Sequence, residues 1–291
     1  MRLGRFDEGK YGVVVGETIY DVTAVVERIV ARAGRVRGDP VIACLDQIKA
    51  AIPDPEIYQA YPVSAVKLLS PVANPSKLVC APVNYHAHIA EMQADPTIVK
   101  SPLGTDIIKA GLFLKANSAL VGPSHGVALR FPDRRNDHEC EFVLIIGREG
   151  SDIPASRALE YIGGYTLGLD MTLRGPEERS FRKSIDTYAV LGPWLVTADE
   201  IPEPGAVSFR LSVNGELRQN ANTADLILKI PELIAFASSF YTLLPGDVIY
   251  TGSPQGVGPV KPGDVMVAEC AAIGRMEVAV RAHVPAAFAP A

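Results

Sequence analysis

Asp137-His138-Glu139-Cys140-Glu141-Phe142-Val143-Leu144-Ile145-Ile146-Gly147 places two glutamates two residues apart at the head of an unbroken apolar run that ends on glycine. The run reads as a β-strand, and a side-chain period of two puts both carboxylates on one face. Two neighbouring anions pointing inward repel each other and lose hydration unless a cation lies between them. On a solvated strand end they need none. This segment alone leaves both readings open.

Strand signals continue on both sides of it. Lys77 to Val83, Leu112 to Lys115 and Gly164 to Asp170 are short apolar runs, and Val207 to Val213 with Glu216 to Ala221 flank Asn214-Gly215. Both turn residues tolerate positive φ, so that pair marks a hairpin. One helix interrupts the strands: Glu232 to Tyr241 follows Pro231, with Leu233, Ile234, Ala237 and Phe240 on one face. Asp247 to Tyr250 is a further strand, running into a glycine-rich loop. Upstream, Tyr11 to Val22 reads as two short strands about Gly16-Glu17, followed by helices over Thr23 to Ala33 and Val41 to Ile52. Prolines then recur at positions 53, 55, 62, 71 and 75. The expected organisation is a small α/β N-terminal domain over residues 1–72 and a catalytic domain over 73–291, in a strand-rich α+β chain.

With 291 residues, 48% of them apolar, the chain buries a substantial core. A net charge of -5 with no basic stripe argues against nucleic acid and points to a small-molecule partner. Charges interrupt the first eight residues, and no stretch reaches the ~20 apolar residues of a bilayer span. The expectation is a cytoplasmic protein without a membrane partner. Cys44, Cys80, Cys140 and Cys270 lie far apart and read as reduced, mostly buried thiols.

Chemistry gathers in a few places. Asp170 ends a glycine-rich strand; it either joins Glu139 and Glu141 or pairs with Arg174. Three carboxylates without histidine or thiolate describe a hard oxygen site suited to Mg²⁺ or Mn²⁺. His88 and Glu91 stand three apart on a short helix, the spacing of a general base and its orienting carboxylate, with His86 as competitor for that role. Arg174, Arg179, Arg182 and Lys183 crowd together with Glu177 and Glu178, and a charged surface loop accounts for most of them. Thr251-Gly252-Ser253-Pro254-Gln255-Gly256-Val257-Gly258 follows a strand as phosphate loops do, but Pro259 and Pro262 stand where such a loop requires a helix. It suits a hydroxyl and backbone amides brought to a small anion.

In this order the segments resemble the fumarylacetoacetate hydrolase superfamily over roughly residues 75 to 283. The resemblance is carried by Asn84-Tyr85-x-x-His88-x-x-Glu91, Phe113-Leu114-Lys115, Leu120-Val121-Gly122-Pro123, Glu139-x-Glu141 leading to Ile145-Ile146-Gly147, and Gly164-Tyr165 with Asp170 and Arg174. Lys183-x-x-Asp186-Thr187, Gly192-Pro193-Trp194, Asn214-Gly215 and Pro245-Gly246-Asp247 leading to the 251–258 loop complete it. It implies a β-roll catalytic domain, homodimeric, with Mg²⁺ or Mn²⁺ on Glu139, Glu141 and Asp170. It further implies His88, Glu91 and Lys183 as catalytic groups and Tyr85, Arg174, Glu177, Gly252 and Ser253 against a keto-acid substrate. The implied activity is hydrolytic cleavage of a carbon-carbon bond in a β-diketo or acylpyruvate-type acid, in the breakdown of aromatic or related compounds. The alternative is a decarboxylase or a keto-enol or double-bond isomerase using the same metal. Two positions depart from the pattern: Ser253 replaces the usual threonine, and Glu177 replaces the usual glutamine. An ionised Glu177 points away, pairs with Arg179 or Arg182, or meets a neutral or donor group of the substrate. The last reading is favoured and implies a less acidic substrate.

Overall fold

The structure is a computed structural model and describes residues 1–95 and 106–285. Cys140–Ile146 lies inside a twelve-stranded sheet. Its alternate side chains enter two different cores: Phe142, Leu144 and Ile146 one, Val143 and Ile145 the other. Both faces are covered, so the segment is apolar at every position from Phe142 to Ile146 and shows no alternation there. Ile162–Asp170 pairs antiparallel along one side, setting Glu141 opposite Gly168. Val248–Tyr250 pairs antiparallel along the other side, followed by Leu78–Cys80 and Phe113–Lys115.

In the other direction Ala189–Thr197 follows Ile162–Asp170 and is paired by Arg2–Phe6, with Leu3 opposite Leu195. Lys10–Val15, Thr18–Asp21 and Ala60–Pro62 extend the same sheet outward. The hairpin expected about Gly16-Glu17 forms, with Val15 opposite Thr18 and Gly16 at φ 58°. The helix Thr23–Ala33 also has the bounds read from sequence. The next helical stretch is broken in two, Pro40–Ala43 and Leu45–Ala51, because Cys44 leaves the helical region at φ -102°, ψ 11°. Asp39 caps the first piece through the amides of Val41 and Ile42. Val25, Val26, Ile42 and Ile48 of these helices share a core with Val143 and Ile145 and so cover that face of the sheet.

The opposite face packs on a five-stranded sheet, ordered Glu216–Asn222, Ser208–Val213, Val265–Cys270, Gly274–Ala282 and Val127–Leu129. Its Phe209, Leu211, Met266 and Val278 share a core with Phe142 and Leu144. Asn214 and Gly215 take φ 51° and 83°, the paired positive values of a tight hairpin turn. The late helix spans Ile230–Phe240 and buries Leu233, Ile234 and Ala237. Phe240 does not join that face: it is 71% exposed, with Phe236 edge-on at 5.4 Å and Tyr241 tilted beside it. The buried residues of the helix run from Ile230 to Ser238, and Phe240 lies beyond them at its end. The chain is therefore strand-rich α+β. Its four cysteines are buried and unpaired, and among the described residues no helix is long and apolar enough to cross a membrane.

Candidate active site

Glu139 sits in the short break between the strands Asn136–His138 and Cys140–Ile146, where its carbonyl accepts the Asp170 amide at 2.8 Å. That register brings the end of Ile162–Asp170 beside the head of the neighbouring strand. Carboxylate oxygens of Glu139, Glu141 and Asp170 lie within 4.8 Å of one another, and all three residues are buried. Asp170 thus joins the two glutamates.

Cations brace this cluster. The Lys183 ammonium donates to Glu139 Oε2 and Asp170 Oδ2, each at 2.6 Å. Lys115 donates to the other Asp170 oxygen and, at 2.6 Å, to the Tyr188 carbonyl. Arg174 bridges Asp137 Oδ2 at 2.7 Å and Glu139 Oε1 at 3.0 Å. Burial opposes ionisation of Glu139, but Lys183 and then Arg174, with a smaller contribution from the His88 ring, hold its carboxyl well below the usual range. Burial likewise opposes the charge on Lys183, and Asp170 and Glu139 outweigh it and raise its pKa.

Glu141 is the test of whether a metal fits. Its Oε2 accepts the Gly252 amide at 2.6 Å, and among the described residues no lysine or arginine pairs with it. Burial, and then the charge of Asp170, push the Glu141 carboxyl well above its ordinary value. A divalent cation among the three carboxylates would reverse that balance and let Glu141 ionise. The donor set is all oxygen, as Mg²⁺ and Mn²⁺ prefer. The residues present fit the ion.

The glycine-rich loop serves the protein's own carboxylates. Its Gly252 amide holds Glu141, and its Gly256 amide donates to Glu91 Oε1 at 2.9 Å. Both glycines have positive φ, 108° and 92°, and a Cβ would stand 2.6 Å from Asn84 Cβ at the first and 1.9 Å from the Arg218 carbonyl at the second. Ser253 Oγ accepts from the buried Gln219 side chain at 3.1 Å, while Gln219 Oε1 accepts the Cys140 amide. Glu91 Oε2 meets His88 Nδ1 at 3.0 Å, and His88 is buried while His86 is exposed. Tyr85 is buried with its hydroxyl unpartnered among the described residues; burial and then Glu141 raise its pKa.

A family model for the C-terminal domain of fumarylacetoacetate hydrolase matches residues 77–281. The chain belongs to the fumarylacetoacetate hydrolase family. Within it, the maleylpyruvate hydrolase of Aquipseudomonas alcaligenes is 52% identical over 289 residues, covering 97% of this chain and 99% of that one. A maleylpyruvate hydrolase from Sphingobium sp. SYK-6, solved with manganese(II) and pyruvate, superposes with a TM-score of 0.81 at 37% identity, over 98% of this chain and 100% of that one. A 2-hydroxyhepta-2,4-diene-1,7-dioate isomerase from Mycobacterium marinum reaches a TM-score of 0.70 at 29% identity, over 98% and 100%. The two hydrolases agree with the expectation of a metal-dependent enzyme that cleaves a carbon-carbon bond.

Several residues of this fumarylacetoacetate hydrolase family site carry no role in the sequence analysis. Lys115 is one: it follows Phe113 at a period of two and turns inward with it, leaving Leu114 outside. A lysine at an inward strand position was the available signal. Asp137, fully buried between Arg135 and Arg174, is another. Arg134 is the third, donating to both oxygens of Glu177 at 2.8 Å. Glu177 therefore pairs with neither Arg179 nor Arg182, and the Arg134 hydrogen bonds pull its carboxyl down to about 2. Its charge is already matched, and the reason for a less acidic substrate lapses.

Proposed function

We propose that the chain is a Mg²⁺- or Mn²⁺-dependent hydrolase of 2,4-dioxo acids of the acylpyruvate type, with maleylpyruvate as the substrate. The observation that carries this reading is the buried carboxylate cluster beside a histidine whose Nδ1 is fixed by Glu91. The identity to the Aquipseudomonas hydrolase over nearly the whole chain supports the choice of substrate. Glu139, Glu141 and Asp170 are the ligands. Held there, a divalent ion would supply positive charge that binds substrate oxygens and offsets enolate charge.

With Nδ1–H directed to Glu91, His88 Nε2 is the free nitrogen, and it takes a proton from water. The hydroxyl oxygen bonds to the acyl carbon, the carbon-carbon electron pair leaves as the enolate of pyruvate, and His88 returns the proton to that carbon. One water is consumed, and pyruvate and the free acid are released. Lys183 has three N–H groups and spends two on Glu139 and Asp170. Its third is available to the oxyanion that forms at the acyl carbon. Arg174, Tyr85 and Ser253 contact substrate oxygens; Glu177 and Gly252 border the same space, Gly252 by holding Glu141.

We further read residues 1–72 as a small α/β N-terminal domain, 73–291 as a β-roll catalytic domain, and the enzyme as a cytoplasmic homodimer. Product analysis with maleylpyruvate, acetylpyruvate, oxaloacetate and an unsaturated 2-oxo dicarboxylate, under Mg²⁺, Mn²⁺ and chelator, tests the activity. Equimolar pyruvate and maleate from maleylpyruvate is the expected result. Isomerised or decarboxylated products alone would replace the hydrolase with the isomerase or decarboxylase that the same groups can serve, a reading favoured by the similarity to the Mycobacterium isomerase.

A further inference from the structure

The short helix Arg179–Lys183 carries three cations at positions i, i+3 and i+4, which share one face. Lys183 fixes where that face looks, because its ammonium lies on Glu139 and Asp170. Arg179 goes the same way: its Cζ stands 5.5 Å from the centroid of the Phe113 ring, and the Lys183 ammonium stands 5.1 Å from the same centroid. Arg182 donates to the Leu173 carbonyl at 3.1 Å, and its Nε is buried without a partner among the described residues.

Among the described residues no carboxylate pairs with Arg179 or Arg182. The nearby acids are occupied: Glu177 by Arg134, Asp186 by Arg130, and Glu178 by the Ser180 and Phe181 amides. Burial lowers the pKa of both guanidinium groups, and Glu139 and Asp170 are among the anions that act on each. Two half-buried guanidiniums on the helix face that looks to the carboxylate cluster, without an anion of their own among the described residues, form a site for one.

We infer that Arg179 and Arg182 form the subsite for the second carboxylate of a dicarboxylic acylpyruvate, the one at the far end of the acyl group. The inference rests on the acylpyruvate hydrolase reading and adds to it the residues that select the acyl group. The first carboxylate and the 2-keto oxygen go to the ligand cluster, where Arg174 is already held by Asp137 and Glu139. The far carboxylate then meets the exposed side of the same cationic face, where planar guanidiniums bind it with paired hydrogen bonds.

The test compares Arg179→Gln and Arg182→Gln with the parent enzyme, using maleylpyruvate and the monocarboxylate acetylpyruvate. Each variant should lower the ratio of kcat/KM for maleylpyruvate to that for acetylpyruvate by at least about tenfold, the effect of deleting a charge-assisted hydrogen bond. Arg179→Lys should recover part of the ratio. Calorimetric binding of maleate to the Mn²⁺-loaded protein should weaken in parallel. An unchanged ratio in both variants, with unchanged maleate affinity, would overturn the subsite. A parent enzyme that cleaves neither acylpyruvate defeats the hydrolase reading instead, and maleate binding still decides the subsite by itself.

Discussion

Glu141 and Asp170 stand on strands covered on both faces, with Glu139 in the break just before the first of them, while His88 and Glu91 stand on the nine-residue helix His86–Ala94, of which His88 is the only buried residue. The ligand cluster is braced by lysines from two other segments, Lys115 and Lys183. Among the described residues the histidine pair is tied down by a loop amide, that of Gly256, through Glu91. Ligands need a fixed geometry to hold a hard cation. A base has to reach water and product in turn, and a lightly packed helix permits small adjustments. Metal binding and proton transfer should therefore respond separately to substitution.

The largest effect should come from the cluster. Chelation should abolish turnover and Mg²⁺ or Mn²⁺ restore it; Glu141→Ala should weaken metal binding by more than the ~10- to 100-fold typical of outer partners and remove activity at ordinary metal concentrations. Calorimetry with Mn²⁺ and circular dichroism on the same sample separate lost metal from lost fold. Undiminished affinity would break the assignment of Glu141 as a ligand.

His88→Ala should come next, slowing turnover by about 100- to 10,000-fold while Mn²⁺ affinity stays near the parent value. His86→Ala, at an exposed position, should have a far smaller effect. A larger effect at His86 would reverse the choice of base.

Lys115→Met should sharpen the comparison from the other side. It removes the donor to Asp170 and to the Tyr188 carbonyl, so metal affinity should fall by roughly 10- to 100-fold. Thermal stability should fall with it, since the buried Tyr188 carbonyl loses its lysine donor and Asp170 keeps, among the described residues, only that of Lys183. If Mn²⁺ binds Lys115→Met as it binds the parent, Asp170 is positioned by its strand alone.

The smallest effect belongs to the edge of the site. Glu177 is held at a pKa of about 2 by Arg134, below its unfolded value. The pair therefore stabilises the fold above about pH 4.3 and loses that contribution as the pH falls toward 2. Glu177→Gln should remove this part of the acid sensitivity in urea melts at pH 3 and pH 7. Because Arg134 already offsets the charge, the preference between mono- and dicarboxylate substrates should shift much less than for Arg179→Gln. A larger shift at Glu177 would move the carboxylate subsite to its side.

The period of two that aligns Glu139 with Glu141, the i to i+3 spacing of His88 and Glu91, and the Asn214-Gly215 turn were legible because each is a short-range rule written in consecutive residues. The strands Val265–Cys270 and Gly274–Ala282, although they pair with each other, were not read, lacking a two-residue turn signal between them.

The sequence by itself determined the strand-rich class, the order of the motifs and the three acids that meet. The tertiary structure decided the partners around them: Lys115 reaches Asp170 across 55 residues, Gln219 reaches Ser253 across 34, and the Gly256 amide reaches Glu91 across 165. It also decided that Glu177 belongs to Arg134, 43 residues away, and not to the arginines beside it. Spacing along a chain fixes only which near neighbours share a face. Partners this distant are chosen by strand register and loop path, and those follow from packing the two cores.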